Sequence, residues 1–147
     1  MTEPSRSAKR ILIVDDHSDT REMLHVLLEQ SGYGIKTADS IAVGLRLAKA
    51  ERFDLYILDN WLSDGTGVEL CQHLRALHSS TQILFYSGAA YEADIEQAMR
   101  AGADEYLVKP CDIEQVQQTV TRLLQKSSPD TSQSRREGLR GTIKERS

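Results

Sequence analysis

Five short apolar runs punctuate the chain: RILIVD at 10–15, YGIKTA at 33–38, DLYILD at 54–59, QILFYS at 82–87 and EYLVK at 105–109. Between them the apolar positions fall at helical spacing. Met23, Leu24, Leu27 and Leu28 share one face over 19–31, where Asp19 and Glu22 form a candidate capping pair. Ile41, Leu45 and Ala48 line a second helix. Leu70, Cys71, Leu74 and Leu77 line a third, opened by Thr66 with Glu69 three residues on. Ile95, Ala98 and Met99 mark a fourth, stopped at Gly102, and Asp112 caps a fifth that carries Ile113, Val116, Val120, Leu123 and Leu124. Strand and helix alternate throughout. That order predicts an α/β fold: a five-stranded parallel sheet joined by right-handed crossovers, with helices on both faces, flavodoxin-like in its (βα)5 arrangement. The runs at 10–15 and 54–59 show no period of two, as expected of strands covered on both sides. The second run is more polar and suits a sheet edge.

Composition changes this picture only at the ends. At 147 residues, 39% hydrophobic and 27% charged, the chain has room for one ordinary domain and a short tail. The expected domain is residues 8–126. Residues 127–147, rich in Ser and charge, read as a disordered, mildly basic tail whose Arg135, Arg136, Arg140, Lys144 and Arg146 stand against an acidic body. The whole-chain net charge of −4 divides into −6 on residues 1–126 and +2 on the tail, so direct nucleic-acid binding by the body is not expected. No apolar segment opens the chain and no run is long enough to span a bilayer, so a cytoplasmic protein without membrane contact is expected. Cys71 and Cys111 have neither a disulfide framework's number nor metal-ligand spacing. The four histidines, His17 among them, read as solvated or packing residues.

The chemistry collects at one edge. In a parallel sheet all strands end on the same side, and ligands bind beyond those ends. Asp15 and Asp16 close the first run, Asp59 the third, Ser87 the fourth and Lys109 the fifth. Three carboxylates brought together repel unless a cation joins them, and an all-oxygen donor set favours a hard ion, Mg²⁺ first. A lysine and a hydroxyl on the same rim suit phosphoryl oxygens. No P-loop pattern is present, so a nucleotide site of that kind is not indicated. One carboxylate is then free to act as nucleophile and form an acyl phosphate. Asp59 fits, followed by a glycine-rich loop that would let a bulky donor approach.

ILIVDD, LYILDNWLSDGTG, ILFYSG and GADEYLVKP together resemble the receiver domain of bacterial two-component response regulators, here one standing alone. The resemblance implies that Asp59 is the phosphoacceptor. It further implies that Asp15, Asp16, Asp59 and the backbone carbonyl of Trp61 hold Mg²⁺, and that Ser87 and Lys109 bind phosphoryl oxygens. Ser87 and Tyr106 would form the switch, and the Lys109–Pro110 bond would be cis. It implies a signalling protein rather than an enzyme acting on other substrates. The implied partners are a sensor histidine kinase or phosphotransfer protein, and a downstream target read at the face of the fourth helix, fifth strand and fifth helix. Ser63 stands where the family often has proline, and bulky Trp61 is expected to shield the acyl phosphate and slow its loss. The alternative is a receiver-like interaction module that is not phosphorylated. A phosphohydrolase of similar topology would need a DxD pattern that DDHSD does not supply.

Overall fold

The computed structural model describes residues 8–126. The tail expected at 127–147 lies outside the described residues. In chain order the elements are β1 (Arg10–Val14), α1 (Ser18–Gln30), β2 (Gly34–Ala38), α2 (Ile41–Ala50), β3 (Leu55–Leu58), β4 (Trp61–Leu62) and β5 (Gly65–Thr66). α3 (Gly67–Leu77), β6 (Gln82–Ser87), α4 (Glu92–Ala101), β7 (Glu105–Val108) and α5 (Ile113–Lys126) follow.

β2, β1, β3, β6 and β7 form one sheet in that order, and all four pairings are parallel. The more polar β2 is an edge strand. β1 and β3 are buried along every apolar position because alternate residues point to two separate cores. Leu12, Val14, Tyr56, Leu58, Ile83 and Phe85 pack with Ala48, Leu70 and Leu74 on one face. Ile11, Ile13, Leu55, Ile57, Leu84 and Leu107 pack with Leu24, Leu28, Val116 and Val120 on the other. Each core removes its apolar surface from water, which is what holds a three-layer domain together.

Several helix details depart from the sequence pattern. α1 begins after His17, which makes no side-chain cap, so Asp19 and Glu22 are not the expected capping pair. Thr66 and Glu69 do form a reciprocal capping box on α3, and Gly102 ends α4 in the left-handed region at φ 119°. The backbone carbonyl of Asp112 accepts the Gln115 and Val116 N–H groups at the start of α5. Leu77, Met99 and Ile113, assigned to buried faces by periodicity, are exposed. α4 buries only Ala98, so it is the helix most lightly anchored to the sheet.

The segment after β3 folds into a two-stranded hairpin that periodicity does not predict, with Trp61 paired to Thr66 and Leu62 to Gly65. Its outward Asp64 accepts the N–H groups of Ile41 and Ala42 at 2.9 and 3.1 Å, fastening the hairpin to the start of α2. The Lys109–Pro110 peptide bond is cis.

Candidate functional site

One residue past each strand, ladder hydrogen bonds continue and fix the site. Asp15 N–H donates to the Ala38 carbonyl at 3.1 Å, Asp59 N–H to Val14 at 2.9 Å, and Lys109 N–H to Ser87 at 2.9 Å. The backbone is therefore set by the sheet, while the side chains project from its carboxyl edge.

Lys109 Nζ reaches Asp15 Oδ2 at 2.9 Å and Asp59 Oδ2 at 3.5 Å. Both carboxylates are buried, at 3% and 4% side-chain exposure. Burial alone would lower the Lys109 pKa. The hydrogen bond and negative charge of Asp15, joined by those of Asp59, outweigh it and leave the pKa raised. Asp16 is exposed, and it joins Asp15, Asp59 and His17 in a cluster whose four donor atoms lie within 4.8 Å of one another. This donor set, with three carboxylate oxygens on a rim, fits a hard divalent cation.

His17 was not expected here. Its Nδ1 stands 3.1 Å from Asp15 Oδ1, 3.2 Å from Asp16 Oδ1 and 3.6 Å from Asp59 Oδ2; the ring is solvent-exposed, as expected, but it also joins the acidic cluster. Its adjacency to the acidic pair was the one sequence signal. Arg21, one turn into α1, donates to the Asp15 carbonyl at 2.7 Å and braces the same turn.

The glycines after Asp59 serve packing. Gly67 is buried, and a Cβ there would overlap the Asp59 carbonyl oxygen and come within 2.8 Å of the Phe85 ring. Its N–H donates to the Asn60 carbonyl at 2.8 Å. Gly65 sits at φ 151°, inside the hairpin turn. The loop is thus drawn tightly against the strand, and the expected open approach for a donor is not the reason for these residues. Trp61 is 55% exposed and lines a groove of about 450 Å³ between α3 and α4.

Ser87 is fully buried at the end of β6, and its Oγ accepts the Ala89 N–H at 3.1 Å. Tyr106 lies half-buried, its ring stacked on Phe85 at 5.5 Å, and its hydroxyl donates to the Ala89 carbonyl at 2.6 Å. Ser87 and Tyr106 therefore hold the same residue of the β6–α4 loop by opposite backbone groups. Burial raises the Tyr106 pKa, opposed by contact with the Ser87 side chain. Asn60, next to Asp59, is buried with an unpartnered Oδ1. Sequence reasoning did not single it out.

The family model for the response regulator receiver domain matches residues 11–121. The chain belongs to that family. Among curated relatives, the receiver is 30% identical over 127 residues to the response regulator protein PilR of Pseudomonas aeruginosa, covering 86% of this chain and 28% of that protein. It is 35% identical over 122 residues to the KDP operon transcriptional regulatory protein KdpE of Escherichia coli, covering 83% and 54%. A crystal structure of a CheY-like receiver domain protein from Methanospirillum hungatei superposes with a TM-score of 0.80 at 30% identity, covering 82% of this chain and 97% of that one. The curated relatives extend well beyond the receiver: this chain spans about a quarter to just over half of their lengths. Residues 11–121 are thus a receiver domain of the two-component type. Among the described residues no helix is long and apolar enough to cross a membrane.

Proposed function

We propose that Asp59 is the phosphoacceptor, taking a phosphoryl group from a phosphohistidine on a sensor kinase or phosphotransfer protein. The observation that carries this reading is the Lys109 ammonium group lying within 2.9–3.5 Å of both Asp15 and Asp59, which makes the strand ends one electrostatic unit. Asp15, Asp16, Asp59 and the Trp61 carbonyl are the residues that would hold Mg²⁺. The bound ion would supply charge neutralisation for the phosphoryl oxygens.

The chain's own part in the transfer is positioning. Asp59 Oδ1 is engaged by the Asn60 N–H at 2.7 Å, which leaves Oδ2 on the Lys109 side as the attacking oxygen. As the new O–P bond forms, the P–N bond of the donor breaks and its electron pair stays on the imidazole nitrogen. Lys109 neutralises the incoming phosphoryl oxygens and Ser87 donates its hydroxyl to one of them. Holding nucleophile and donor in line, with charge stabilisation, accounts for most of phosphoryl-transfer catalysis. The reaction modifies the protein itself, so it acts as a signalling acceptor rather than as an enzyme on a separate substrate.

Readout would pass through Ala89, which Ser87 and Tyr106 both hold. A hydroxyl drawn from Ala89 to the phosphoryl group frees that loop and biases α4, which buries only one side chain. The face of α4, β7 and α5 would then be read by a downstream protein. The receiver unit would be residues 8–126, in the cytoplasm, without direct contact to nucleic acid or membrane.

Trp61 tests the reading directly. Its fluorescence is expected to change on addition of Mg²⁺ and again with beryllofluoride; a flat response to both would contradict it.

A further inference from the structure

We propose that His17 is a nitrogen ligand of the divalent-ion site and tilts its preference from Mg²⁺ toward first-row transition ions, with Mn²⁺ as the probe. The inference rests on the reading of Asp15, Asp16 and Asp59 as metal-holding residues.

Three geometric facts carry it. His17 Nδ1 lies 3.1, 3.2 and 3.6 Å from one oxygen each of Asp15, Asp16 and Asp59. Ligand atoms held about 2.0–2.2 Å from a common ion, at octahedral or tetrahedral angles, stand about 3–3.5 Å apart. The imidazole is thus at ligand separation from Asp15 and Asp16, with Asp59 just beyond it.

The second fact is how His17 is held. It occupies the N-cap position of α1 with extended backbone, φ −91° and ψ 114°, yet its side chain caps nothing. Its backbone N–H donates to Asp15 Oδ1 at 2.9 Å, which turns the residue back toward the strand end. The ring therefore faces the carboxylates and not the open amides of the helix.

The third is the division of labour on Asp15. Lys109 takes Oδ2 and His17 faces Oδ1, so the two partners approach different oxygens. Lys109 can stay in place while an ion binds on the His17 side. A nitrogen lone pair aimed at three carboxylates is repulsive unless a proton or a metal ion lies between. Imidazole suits the later first-row ions; Mn²⁺, the first of their affinity series, accepts a nitrogen ligand more readily than Mg²⁺, which favours oxygen ligands and water. At 65% side-chain exposure the ring can swing to admit and release the ion.

The test is pulsed electron paramagnetic resonance of Mn²⁺ bound to the full chain, with competition against Mg²⁺ followed by Trp61 fluorescence. A ¹⁴N coupling is expected in the parent and lost in His17→Gln, with the Mn²⁺-to-Mg²⁺ affinity ratio falling roughly tenfold or more. Bound Mn²⁺ without nitrogen coupling, coupling that persists in His17→Gln, or an unchanged ratio would overturn the inference and leave the carboxylate site standing. Failure of both ions to bind would overturn the inference and the underlying reading together.

Discussion

Lys109 Nζ and Asp15 Oδ2, 94 residues apart in the chain, meet at 2.9 Å beyond the ends of two non-adjacent strands. The contact joins β7 to β1 over the carboxyl edge of β3 and β6. It also holds one of the buried carboxylates that would otherwise repel its neighbours.

Removing that ammonium group should weaken the fold before it affects anything else. Lys109→Ala is expected to lower stability by about 1–3 kcal/mol in divalent-free buffer, because Asp15 and Asp59 are left buried and uncompensated. Mg²⁺ should recover more stability in the variant than in the parent. The raised lysine pKa sets the pH dependence: the parent's advantage is fully present below the ordinary lysine value and fades as pH rises through the raised one. Urea titrations of both proteins, from neutral to strongly alkaline pH, measure this.

Two glycines near the acceptor should behave oppositely. Gly67→Ala places a methyl group against the Asp59 backbone and the Phe85 ring, and should cost about 3 kcal/mol or more. Gly88→Ala meets nothing within 4 Å and has no positive φ, so its change should stay within about 0.5 kcal/mol. Thermal melts of the pair separate close packing from mere loop flexibility.

Much of this architecture could be read from residue order. ILIV and LYIL announced strands buried on both faces, and the acidic, hydroxyl and lysine residues stood at their ends. What the pattern could not convey was side-chain direction. His17 turns back from the start of α1, which no spacing rule encodes. The two-residue strands around Asp64 are too short to show a period. Met99 and Ile113 follow helical spacing yet lie exposed, because α4 is so lightly buried and Ile113 is the first residue of α5.

The hairpin's hold on α2 makes a separate prediction. Asp64→Ala should cost about 1 kcal/mol by freeing the Ile41 and Ala42 N–H groups. Those hydrogen bonds, Ile41's first, hold the Asp64 pKa below the usual carboxylate value. Its contribution is therefore present above that ordinary value and lost as pH falls through the depressed one. The difference in melting temperature between parent and variant should shrink only in strong acid.

Tyr106→Phe removes the hydroxyl that holds the Ala89 carbonyl while keeping the ring on Phe85. Amide hydrogen exchange should rise in the β6–α4 loop, with α3 unchanged. Equal protection in both proteins would mean that the tether does not restrain the loop.

The central claim is that Asp59 accepts a phosphoryl group. Intact-protein mass spectrometry after incubation with Mg²⁺ and a small acyl-phosphate donor tests it most directly. One added phosphoryl group is expected, not formed when the ion is chelated beforehand and absent in Asp59→Asn. An unmodified parent, or a modification that survives in Asp59→Asn, would contradict it.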